Sequence, residues 1–98
     1  MKKNILFAEV LQVVASETDL AGEVITSTNR TREAVDARYM LVAALLRKGL
    51  YRSDIAKYLG VSRQAIGAID NSFESRCKVS GKWFEIVWQN VCKSLEIN

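Results

Sequence analysis

Behind the glycine and valine of Gly60-Val61-Ser62-Arg63-Gln64 stand a hydroxyl, a guanidinium and a carboxamide in succession. Side chains of these three types present fixed patterns of donors and acceptors, suited to planar edges and anions. None of them forms a nucleophile–base pair with a neighbour. Basic residues gather around them: residues 28–78 hold ten Lys and Arg against five acids. Residues 1–27 hold two against four, and residues 79–98 two against two. The excess therefore lies in the middle of the chain, as a polyanion-binding surface requires. A solvated helical face that happens to be basic would give the same count.

The residues absent are as informative. With no histidine, Ser-His and Cys-His catalysis and every His-containing metal site are excluded. Cys77 and Cys92 are too few for a disulfide framework and lack metal-type spacing, so both read as reduced, structural thiols of a cytoplasmic protein. Neither a Gly-x-x-x-x-Gly-Lys-[Ser/Thr] loop nor a Gly-x-Gly-x-x-Gly fingerprint occurs. The reading is not an enzyme, with no metal and no cofactor. The start, Lys2 to Ala8, imitates a signal peptide until Glu9, Gln12 and Glu17 interrupt it, and no stretch approaches a membrane span.

Elements that could position these side chains follow from the apolar spacing. Ninety-eight residues, 49% hydrophobic and 26% charged, make one globular domain over residues 1–98. No proline and only five glycines favour long helices. Residues 5–15 carry an apolar stripe at helical spacing. Thr18-Asp19 offers an N-cap for a short helix through Leu20, Ala21, Val24 and Ile25. A polar loop over Ser27–Thr31 leads into a long helix from Thr31 or Arg32 to Arg47-Lys48-Gly49, where basic residues precede a terminating glycine. Ser53 with Asp54 opens a helix that Gly60 closes, and Ser62 caps another reaching Ser72 or Phe73. After a loop around Ser75–Ser80, Trp83, Phe84, Val87, Trp88, Val91 and Leu95 mark a final amphipathic helix. The fold class is all-α, with about six helices and no sheet.

Residues 52–69 carry a helix-turn-helix pattern. Two short helices crossing steeply need a small residue at the crossing, here Ala56, and one comfortable at positive φ in the turn, here Gly60. Ile55, Leu59, Val61, Ile66 and Ile69 are then expected to fill the crevice. An ordinary αα-hairpin with a glycine turn would not require all five to be aliphatic. In such a unit the second helix, about residues 62–72, lies in the major groove. Its outward positions are Ser62, Arg63, Gln64, Gly67, Ala68 and Asn71. Arg63 can fork onto guanine and Gln64 can pair with adenine, while Gly67 and Ala68 let the backbone sit deep. Asp70 is expected to point sideways. Lys48, Arg52, Ser53 and Lys57 are candidate phosphate contacts; taken singly, each cation is equally a solvated surface charge.

The order of these elements resembles the C-terminal DNA-binding domain of the bacterial chromosomal replication initiator (DnaA), itself related to the Trp repressor fold. The resemblance covers nearly the whole chain. It runs through Phe7–Ala15, Leu20–Ile25, Thr28–Arg32, Arg38-Tyr39-Met40 onward, Ser53–Ser72 and Trp83–Leu95. It implies that the basic loop sends an arginine, Arg30 or Arg32, into the minor groove, whose narrow walls concentrate negative potential. The family's Gly-Arg-Asp-His-[Ser/Thr]-Thr-type run is replaced here by Gly60-Val61-Ser62-Arg63-Gln64-Ala65, one residue shorter and without the base-reading Asp and His. The initiator's own binding sequence is therefore not carried over. These residues contain no nucleotide-binding motor, so the resemblance implies a DNA-binding module rather than an initiator.

The leading expectation is sequence-specific binding of double-stranded DNA by a regulatory or replication-accessory protein. The alternative is a protein-interaction module that keeps the fold without DNA contacts and docks an acidic partner or a second copy of itself. Trp83 and Trp88, five residues apart, cannot both be central to one narrow stripe, which would leave one of them for such a contact; the commoner outcome in a small domain is that both cover the core, and Trp88 is the one expected there.

Overall fold

The structure, a computed structural model, describes residues 2–97. It contains six helices and no strand among those residues: α1 (Lys3–Thr18), α2 (Gly22–Thr26), α3 (Arg32–Arg47), α4 (Arg52–Leu59), α5 (Arg63–Asn71) and α6 (Phe73–Leu95). The six are folded into a body of 33 × 26 × 24 Å. At its centre is α3, which touches all five other helices. Its sequence shows why: Met40 to Leu45 is an unbroken apolar run, buried on every side. A helical segment without a polar face has to be surrounded.

Three helix ends fall where local chemistry dictates. The Thr31 hydroxyl accepts the Ala34 N–H at the start of α3, and Ser62 does the same for Ala65 at the start of α5. Gly49 (φ 105°) ends the α3 region, with Leu50 N–H bonded back to Leu45 O.

Several sequence expectations give way to tertiary structure. Asp19 does not open the second helix. It closes α1 in the left-handed conformation (φ 59°), where its short polar side chain is tolerated, and α2 begins later, after Ala21. Helix α1 is correspondingly longer than residues 5–15, because Leu6, Val10, Val14 and Thr18 form a buried stripe at intervals of four and the Thr18 hydroxyl donates to Val14 O. No loop spans Ser75–Ser80. Those residues form the first part of α6, and the break falls at Gly81 (φ 76°, ψ −153°), a conformation that only glycine adopts easily. The reason lies 40 residues upstream: Arg76 Nε and Ser80 Oγ, one helical turn apart, both donate to the buried Asp36 carboxylate, at 2.6 and 2.7 Å.

The final helix has the expected core face, with Phe84, Val87, Val91 and Leu95 buried. Trp88 packs edge-on against Phe73 at 5.0 Å between centroids, and the Arg47 guanidinium lies over both rings. Trp83 remains 43% exposed.

At the start of α4, Asp54 accepts the Tyr51 backbone N–H at 3.0 Å and the Lys3 ammonium at 3.1 Å. The N–H bond, and after it Lys3, hold the Asp54 carboxyl below its ordinary range. A carboxyl depressed in the folded state stabilises above its unfolded pKa and loses that contribution as acid protonates it. The stabilisation should thus be complete above about pH 4 and fade below it. Asp54→Asn should flatten the acid side of a stability–pH curve measured by urea unfolding; an unchanged curve would show that the carboxylate is not tied down in solution.

Candidate nucleic-acid interface

Between α4 and α5 the chain turns through Gly60 (φ 66°), with Val61 N–H bonded to Ala56 O at 3.0 Å and Gly60 N–H to Lys57 O. Ala56, Ile55 and Ile66 are buried as expected, while Leu59 and Ile69 are partly buried against the core. Val61 fills the crevice only in part: it is 44% exposed, and it lines a small cavity with Leu59, Ile66 and Ile69 as well as the cleft beside the loop after α2.

The sequence-derived residues of α5 divide clearly. Ser62, Arg63, Gln64, Ala68 and Asn71 are exposed, and Arg63 and Gln64 make no side-chain hydrogen bond or ion pair among the described residues. The Ser62 oxygen is engaged by the Ala65 N–H, 3.1 Å away. Gly67 is the exception and a correction. It lies on the same stripe, midway between Arg63 and Asn71, yet it is buried. A Cβ added there would stand 3.0 Å from Nη1 of Arg52, whose guanidinium covers the glycine. Asp70, expected to point sideways, is partly exposed and accepts from Arg52 Nη2 at 2.8 Å.

The candidate backbone contacts also separate. Ser53, Lys57, Arg30, Lys48 and Arg32 are all exposed, but Lys48 donates to Leu95 O at 3.0 Å and Arg32 to Val79 O at 2.9 Å. Those two cations thus give hydrogen bonds to carbonyls of α6, Lys48 at its end and Arg32 near its break. Arg30 by contrast lines an open cleft of about 290 Å³ with Ser27, Thr28, Val35, Arg38 and Val61, on the α4–α5 side of the molecule. Arg52, Ser53 and Arg63 line a wider cleft of about 570 Å³ with Tyr51.

Sequence reasoning missed Arg38 as the residue that shapes the basic loop. Its Nε donates to Ile25 O at 2.9 Å and its Nη2 to Asn29 O at 3.0 Å, so α3 ties the end of α2 to the middle of the loop. Within the loop, Ser27 Oγ accepts from Asn29 N–H, and Asn29 Oδ1 accepts from Thr31 N–H. The signal was present only as an arginine nearly two turns into a helix that follows a polar loop. A small cavity of about 110 Å³ separates Thr26–Thr28 from Gly60, Val61 and Ala65, which sets the loop beside the start of α5.

No group of residues suited to holding a metal ion occurs among the described residues, and none of their helices is long and apolar enough to cross a membrane. Burial pushes both Cys77 and Cys92 up, which keeps the thiols protonated and slow to react at neutral pH. No protein-family model, curated protein or solved structure matches the chain.

Proposed function

We propose that this protein binds double-stranded DNA through a helix-turn-helix formed by α4 and α5, as a regulatory or replication-accessory factor. The observation that carries the reading is the exposed α5 face of Arg63, Gln64, Ala68 and Asn71, with the basic loop and Arg30 beside its N-terminal end. Arg63 and Gln64 are the base-reading donors, forking onto guanine and pairing with adenine. Lys57 and Ser53 bind phosphates and set the register. Arg30 is the arginine that reaches the minor groove or its phosphates, since it lines the cleft beside Val61 on the α4–α5 side, while Arg32 gives one of its donors to Val79 O of α6. The element order is in keeping with the resemblance to the replication initiator's DNA-binding domain.

Titration with random duplex at a series of salt concentrations tests this. If about three phosphates are neutralised, the slope of log K against log salt is about −2.7, a loss of roughly 40-fold between 50 and 200 mM. An affinity indifferent to salt would overturn the reading.

A second reading has one observation in its favour. Val79, Trp83 and Ile86 of α6 are 69%, 43% and 53% exposed, an apolar surface that suits a second copy or another protein. Sedimentation of the protein alone and of Trp83→Ala tests self-association: wild-type dimers lost in the variant would support it.

A further inference from the structure

The acidic residue of α5 looks misplaced on a surface meant for a polyanion. Asp70 lies on the helix that presents Arg63 and Gln64, and its side chain is half exposed. Its partner Arg52 comes from the first turn of α4, and the two meet at 2.8 Å. Arg52 reaches Asp70 by passing over Gly67, where the missing side chain leaves room for a guanidinium to lie on the helix backbone. Four residues separate Arg63 from Gly67, and four more lead to Asn71, so the three positions adjoin along one stripe of α5. Arg52 therefore occupies the place in the exposed face that residue 67 leaves vacant.

We infer that Arg52 is a working member of the α5 face, seated on Gly67 and aimed by Asp70, so that Gly67 and Asp70 are positioning residues for its contact with the nucleic acid. This rests on the nucleic-acid reading above. A guanidinium carries five N–H donors in a rigid plane. One nitrogen is bonded to Asp70, and donors on the remaining edge are left for a phosphate or base. Arginine loses rotamer freedom when it binds; a carboxylate that fixes the plane in advance removes part of that cost. The glycine has a matching purpose, because any Cβ at position 67 would meet the guanidinium.

Two simple effects oppose each other in Asp70→Asn, which makes it diagnostic. Removing a negative charge from a polyanion-binding face should tighten binding on electrostatic grounds alone. Loosening Arg52, whose partner becomes a neutral amide oxygen in place of a carboxylate, should weaken it. The expected result is a several-fold loss of duplex affinity for Asp70→Asn, and a similar loss for Gly67→Ala. Arg52→Ala should weaken binding at least as much and, where the contact is to a phosphate, make the salt slope shallower by about 0.9. Neither Asp70→Asn nor Gly67→Ala should weaken binding further in the Arg52→Ala background. Alanine is the better helix former, and the atom it displaces is the far end of a flexible side chain. Gly67→Ala should therefore melt no lower than wild type, which separates its effect from misfolding. Asp70→Asn binding as tightly as wild type or more tightly, or losses that add to that of Arg52→Ala, would overturn the inference while leaving duplex binding intact. A wild-type protein that ignores duplex DNA overturns both.

Discussion

Arg76→Ala is expected to destabilise the protein by about 3 kcal/mol, the lower end of the range for breaking a buried ion pair by removing one partner. Asp36 is 1% exposed, and its carboxylate is held by Arg76 Nε and Ser80 Oγ. Without the guanidinium, a buried negative charge keeps a single hydroxyl partner. Two features hold the loss to the lower end: Ser80 remains, and Asp36 borders an open cleft of about 500 Å³ that water can enter. Small domains melt about 4–8 °C lower per kcal/mol, so the midpoint should drop by more than about 10 °C. Asp36→Leu with Arg76→Met should cost less than Arg76→Ala alone, because no charge is then stranded. Thermal and urea unfolding check both; a loss under about 1 kcal/mol for Arg76→Ala would mean that the pair contributes no more than an ordinary surface contact.

Arg63→Ala carries the largest functional effect. On a selected duplex it should cost on the order of 1–3 kcal/mol and abolish preference at one base pair, the signature of a bidentate base contact. Lys57→Ala should instead weaken all duplexes alike. The difference follows from position. Arg63 is the first residue of α5, exposed and without a partner among the described residues, while Lys57 projects from α4. Oligonucleotides selected from a random pool, then rebound by each variant, provide the measurement. Identical behaviour of the two variants on every duplex would remove α5 from the groove.

Features fixed by neighbouring residues were legible in the sequence. The all-α class, the start of the long helix at Thr31 or Arg32, the Ser62 cap, the glycine stops at 49 and 60 and the apolar face of the last helix follow from local hydrogen bonding and periodicity. Features decided by distant partners were not. The serine- and cysteine-bearing segment 75–80 has weak helix propensity and reads as a loop, but Asp36 holds two of its side chains at helical spacing. Gly67 reads as a bare spot because periodicity cannot show that an arginine from the preceding helix will cover it. Arg30 and Arg32 look interchangeable in sequence, and only the position of α6 shows that one is engaged. The exposed face of α5 was legible for five of its six proposed residues, since outward positions on a short amphipathic helix follow directly from the buried Ile66.

Only Ser72 stands between α5 and α6, and its hydroxyl meets that of Tyr39 on α3 at 3.0 Å. The helix offered to the solvent is thus clamped at both ends: its root is bolted into the centre of the protein, and the end at Arg63 is tied to α4 by the short turn through Gly60. A joint of one residue has no slack, so α5 cannot swivel independently of its mounting. Side chains along the beam can then be exchanged, altering what it touches, without disturbing the angle at which it is carried.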